Sequence, residues 1–113
     1  MARVRVMYWK EVPVQVQADD ENGKVTHQLD PRFQEAADAI AMFDGSAGTD
    51  AYLDGWGYGP FTDVDGPAAQ AADRLADRLN RDMPEDFVAR IRDAERAGTR
   101  DARPGAINNW AGL

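Results

Sequence analysis

Tyr8-Trp9-Lys10-Glu11-Val12-Pro13-Val14-Gln15 decides how this chain folds. Two large aromatics close one apolar-alternating run, a charged pair makes a turn, and a proline opens the next run. On the near side, Val4, Val6 and Tyr8 share one face of an extended segment, with Arg3, Arg5, Met7 and Trp9 on the other. On the far side, Val12, Val14 and Val16 repeat the alternation, with Pro13, Gln15 and Gln17 opposite. After a polar loop through Asn22-Gly23, Val25, His27 and Leu29 alternate with Lys24, Thr26 and Gln28. Period-2 patterning in β-branched residues marks half-buried strands. Asn-Gly tolerates the positive φ of a tight hairpin turn. Pro13 has no amide proton for a ladder, so its nitrogen belongs toward solvent or beside a bulge. These residues predict a three-stranded antiparallel meander with one dry face and one wet face.

Helical signals follow. Asp30 is a good N-cap, its carboxylate able to accept orphan amides, and Pro31 sits where a missing amide costs nothing. Phe33, Ala36, Ala37, Ile40 and Ala41 recur at helical spacing, with Gly45 placed to end the helix. Thr49 reads as the N-cap of a short helical turn carrying Tyr52, Leu53 and Trp56. Gly55-Trp56-Gly57-Tyr58-Gly59-Pro60 is too glycine-rich for a helix and leads into Phe61–Val64, a fourth strand. Gly66-Pro67 opens a second long helix with Ala68, Ala71, Ala72, Leu75 and Leu79 inward. Pro84-Glu85-Asp86 starts a third, with Phe87, Val88, Ile91 and Ala94 as its apolar stripe. The predicted class is α+β: the meander plus a fourth strand, packed on one face by two or three helices. Residues 1–97 form the single domain, and the polar, breaker-rich residues 98–113 read as a mobile tail.

Composition limits what such a domain can do. The chain has 113 residues, 13 Lys plus Arg against 20 Asp plus Glu, a net charge of −7 and no cysteine. Disulfides and thiolate chemistry are excluded, and the acidic balance disfavours nucleic acid and anionic membranes as partners. No secretory h-region follows Met1, and no apolar run reaches the roughly 20 residues of a membrane span, so the expectation is a cytoplasmic protein.

Catalytic motifs fail one after another. His27 is the only histidine, and its place beside Val25 and Leu29 suits a satisfied, partly buried ring. Ser46, the only serine, lies in a Gly-Ser-Ala-Gly loop without the strand-turn-helix context of a nucleophile elbow. Asp63-Val64-Asp65-Gly66 lacks the sixth-position glycine and twelfth-position acid of a calcium loop, and reads as a turn before the helix. The Gly55–Gly59 run lacks the Lys-Ser/Thr of a phosphate loop. No catalytic residue, metal or cofactor is expected. What remains is an aromatic-glycine segment of the kind recognition surfaces use.

Tyr8-Trp9-Lys10-Glu11-Val12-Pro13-Val14-Gln15-Val16 resembles the Tyr-Trp-Arg-Asp-Ile-Pro-Ala-Gln-Val opening of the small bacterial "virulence factor" family. That domain is itself similar to the C-terminal portion of the conserved virulence factor C proteins. Arg32-Phe33-Gln34, Ala41-Met42 and Gly48-Thr49-Asp50-Ala51-Tyr52-Leu53 with Trp56 extend the match. The resemblance implies an accessory protein and supplies no catalytic residues. It also implies an association with folate- and corrinoid-dependent one-carbon metabolism.

Two function classes follow. In the first, a non-catalytic accessory module contacts a protein partner through Trp9, Tyr52, Trp56 and Tyr58. In the second, a small-ligand carrier or enzyme accessory holds a flat ring between the Trp56–Phe61 segment and the first long helix, with Arg32, Asp50 and Asp54 as polar anchors. Alternation places Trp9 across the sheet from Val4, Val6 and Tyr8 unless a bulge precedes Lys10. Trp9 is then exposed, covered by the tail, or covered by a second subunit, and a homodimer is the neatest of these.

Overall fold

The computed structural model describes residues 1–113. The charged turn at Lys10-Glu11 does fold the chain back on itself. β1 (Ala2–Trp9) and β2 (Val12–Asp20) pair antiparallel on either side of it, and β3 (Gly23–Gln28) adds to the free side of β2. Lys10 takes a left-handed φ of 49°, the strain of a tight connection carried by a non-glycine residue. The register slips within β1–β2: Met7 pairs with Gln15 but Tyr8 with Pro13, leaving Val14 unmatched. The bulge falls next to the proline, where a ladder hydrogen bond was missing in any case.

Two short strands complete an antiparallel sheet on the other side of β1. β4 (Trp56–Tyr58) pairs with Met7–Trp9, and β5 (Thr62–Val64) with Ala2–Val4. The class is α+β, with five strands rather than four, because the glycine-aromatic run ahead of Phe61 itself pairs with β1 as β4. Four helices accompany the sheet: α1 (Pro31–Asp44), α2 (Asp50–Asp54), α3 (Ala68–Asp82) and α4 (Phe87–Ala97).

α3 lies across β1, β2 and β3, presenting Ala68, Ala71, Ala72, Ala76 and Leu79. The alanines bring its backbone close to Val4, Val6, Val16 and Ala18, all buried. α1 packs at the β2 end through Phe33, Ala36, Ala37 and Ile40, and α4 packs on α1, with Phe33 and Phe87 rings 5.4 Å apart. Asp30 stands at the N-cap of α1 as expected, but its side chain makes no capping bond; its own amide donates to Asn80 Oδ1 instead. Asp20, at the end of β2, accepts from the Ala68 amide at 2.8 Å and so fixes the start of α3 to the sheet.

Residues 98–113, expected as a mobile tail, pack on the domain. Ile107 and Ala111 are buried, a 3-10 turn forms at Asn108–Ala111, and Asn108 Nδ2 donates to the Tyr8 hydroxyl at 2.7 Å. Polar composition misleads here because the segment is held by charge pairing as much as by apolar contact. The opposite face of the sheet, carrying Arg3, Arg5, Gln15, Gln17, Lys24 and Thr26, has no helix on it.

Candidate functional site

Two neighbouring sites emerge, one enclosed and one open. The enclosed site surrounds the end of β1. Trp9 is fully buried, and its indole N–H donates to the Tyr52 carbonyl at 2.8 Å. The Trp9 and Tyr52 rings lie 5.5 Å apart, and Trp56 meets Tyr52 edge-on at 6.2 Å. The glycines of the following run make this possible. A Cβ on Gly55 would sit 2.7 Å from Trp9 Nε1, and one on Gly59 would sit 3.0 Å from Tyr8 Cε2. Trp9 is therefore neither exposed nor waiting for a second subunit, and α2 of its own chain covers it. Trp9 thus offers no surface to a second copy of the chain.

Below this cluster lies a set of charges that the sequence reading missed. Glu11 is 1 % exposed and takes both prongs of Arg100, Nε to Oε2 and Nη2 to Oε1, each at 2.7 Å. Arg100 also donates to Asp44 Oδ2 at 3.0 Å, and Lys10 Nζ reaches the same oxygen at 2.7 Å. Asp44 Oδ1 accepts from the hydroxyl and amide of Ser46. Burial by itself would raise the Asp44 pKa, but the hydrogen bonds from Lys10, Ser46 and Arg100 outweigh it and hold the carboxyl well below the ordinary range. Arg100 is pushed upward, chiefly by its hydrogen bonds to Glu11. Two cations and two buried carboxylates thus satisfy one another in a nearly dry setting, with the more exposed Glu95 3.6 Å from Arg100 at its edge. Such a cluster fixes geometry and has no free proton acceptor to offer a substrate.

The expected anchor residues do not converge. Arg32 donates to the Asn80 and Met83 carbonyls and stacks on Phe33, joining α1 to the end of α3. Asp50 and Asp54 are exposed on α2. The space between α1 and the Trp56–Phe61 segment holds Tyr52, whose hydroxyl donates to Asp38 at 2.9 Å. Of the expected aromatic surface, Trp9 is buried, Tyr52 and Trp56 are partly buried against the core, and Tyr58 is well exposed, at 50 %. Ser46 gives its hydroxyl to Asp44, while His27 lies 3.7 Å from Asp73 of α3, so the two never meet. No set of three or more His, Asp or Glu side chains is placed to hold a metal.

The open site is the uncovered sheet face beside Tyr58. Phe61, which the sequence reading did not single out as a binding residue, joins it there. The Arg5 guanidinium lies 3.8 Å from the Tyr58 ring centroid and 4.5 Å from that of Phe61, and Arg3 lies 4.0 Å from Phe61. Strand alternation brings Arg3 and Arg5 to one face, so the signal was present; the partner rings come from separate strand-edge segments, which local pattern does not align. A depression of about 380 Å³ lies among these residues, Lys24 and Thr26.

Fold and site define a small α+β domain with an internally satisfied charge core and one open, arginine-aromatic sheet face. The family model described as "Virulence factor" matches residues 7–91, from within β1 to within α4, and the chain belongs to that family. Comparison with curated proteins and with solved structures finds no match. No helix is long and apolar enough to cross a membrane.

Proposed function

We propose that this protein is a non-catalytic accessory module of the cytoplasm that binds a protein partner through the open sheet face beside Tyr58. The observation that carries the reading is the pairing of exposed aromatics with stacked arginines on the one sheet face no helix covers. Arginine and tyrosine are the residue types that dominate protein interfaces, and stacking restrains both side chains before contact. The enclosed site supports the same conclusion from the other side. Its polar groups are matched among themselves, and its aromatics are packed together, so it works as scaffold.

A photo-crosslinker placed at position 58, followed by recovery from native lysate at physiological salt, tests the proposal. A discrete partner should crosslink there and fail to crosslink from an exposed control position such as Arg92. A chain that recovers nothing from position 58 and elutes alone would sink the interaction reading.

A further inference from the structure

Arg3 and Arg5 stand on the same face of β1, yet the chain treats them differently. Arg3 is clamped by Asp19, Nε to Oδ1 at 2.8 Å and Nη2 to Oδ2 at 3.2 Å, with Asp63 opposite it on β5. Arg5 donates only its Nε, to Gln17 Oε1 at 3.0 Å. Both of its terminal nitrogens lack a protein acceptor, and no carboxylate lies within ion-pair distance. Its plane is nevertheless held, by the Gln17 bond and by stacking over Tyr58 and Phe61. A partly buried guanidinium with a fixed plane and unused terminal N–H groups is preorganised for a bidentate carboxylate.

The surroundings indicate which carboxylate. Arg3, Arg5 and Lys24 outnumber Asp19 and Asp63 on this face, although the whole chain carries −7. The face is locally cationic on an acidic protein, so an acidic ligand is drawn there and not elsewhere. The depression has the sheet as its floor, Tyr58 and Phe61 along one side and Gln17 and Thr26 in its lining, with the Gln15–Gln28 pair next along β2 and β3 beyond it. A small anion would remain largely in water in so open a place, whereas an extended peptide could follow the polar rows.

We infer that Arg5 anchors a Glu or Asp side chain of an acidic, extended peptide segment from a partner protein, laid across the open sheet face. This rests on the interaction reading above and adds the chemistry of what is bound.

The test uses the full chain and a fluorescent octapeptide of alternating Glu and Thr, so that every second side chain faces the sheet. Anisotropy at low salt is measured beside the matching Gln-Thr octapeptide, with unlabelled glutamate as competitor. The Glu-Thr peptide should bind about tenfold or more tighter than its Gln-Thr counterpart. Arg5→Gln and Arg5→Lys should each lose about tenfold with an unchanged melting temperature, and Lys24→Gln should lose clearly less. Equal binding of the two peptides, native binding by both Arg5 variants, or equal losses from Arg5 and Lys24 would overturn the inference. So would displacement by glutamate at the same carboxylate concentration, which would mark a small-anion site. If Arg5→Gln keeps the position-58 crosslink while Tyr58→Ala loses the partner, the carboxylate anchor falls and the interaction surface stands.

Discussion

Along Ala2–Met7, β1 has α3 on one face and water on the other, whereas at Tyr8 and Trp9 the same strand is enclosed on both. The difference shows in how each end treats its charged and aromatic side chains. At the open end, Arg3 and Arg5 lie over the rings of Tyr58 and Phe61, and Arg5 leaves hydrogen-bonding capacity unused. At the closed end, rings pack against rings, and Glu11, Asp44, Lys10 and Arg100 satisfy one another. One strand therefore separates a surface available to other molecules from a joint that locks the sheet to the helices and to residues 98–113. Position along the strand, more than residue type, decides which role an aromatic takes.

The comparison breaks most visibly if Arg100 is removed. Arg100→Ala leaves Glu11 and one side of Asp44 buried without their cation, and should cost about 3–5 kcal/mol in urea unfolding. A cost below about 1 kcal/mol would mean that water enters freely and that the closed end is not dry.

The same cluster predicts an acid limb. The Asp44 carboxyl is lowered in the fold, so the folded chain binds fewer protons than the unfolded chain between the two values. Its contribution is complete above the ordinary Asp value of about 3.9 and is lost as pH falls below it. Asp44→Asn should lower stability at neutral pH and flatten the fall below that value. A parallel acid limb in both proteins would assign the pH dependence to other carboxylates.

Gly55→Ala should cost about 1–3 kcal/mol, because the new methyl meets the Trp9 indole rather than a flexible chain end. A shift in Trp fluorescence should accompany it. The smallest effect belongs to the open end: Tyr58→Ala and Phe61→Ala should each change stability by less than about 0.5 kcal/mol while reducing partner capture. Large destabilisation by either would show that the open face belongs to the scaffold.

How much of this was written locally can be read residue by residue. The meander, the Asp30-Pro31 start of α1, the Gly45 stop and the inner stripe of α3 follow from periodicity and breakers, which act within a few residues. A bulge ahead of Lys10 is compatible with the alternation, but its place at Met7/Tyr8 is set by pairing across two strands. β4 was hidden because glycine lowers strand propensity, and only the Trp9 and Tyr8 rings explain why glycine is needed at positions 55 and 59. The site was legible in kind, as an aromatic-glycine recognition segment, but not in membership. Trp9 turned inward with Tyr52 and Trp56 partly buried beside it, and Arg32 went to cap the end of α3, because burial is decided by elements far away in sequence. Arg100 gave no local sign of its role: flanked by Thr99 and Asp101, it reads as one more solvated charge.

The Glu11–Arg100 pair joins residues 89 positions apart. On a ribosome, a chain made from its N-terminus exposes Glu11 and Asp44 while their guanidinium partner has yet to be translated. Until residue 100 emerges, the two carboxylates destined for a dry interior have Lys10 as their one cation, with Ser46 donating to Asp44 alone, and water must stay in the joint. We expect stalled nascent chains ending before Arg100 to be cut by protease near the Tyr8–Val12 turn, and chains exposing residues 98–113 to resist. Residues 98–113 would then act as the clasp that dries the joint, which stays open until they have emerged.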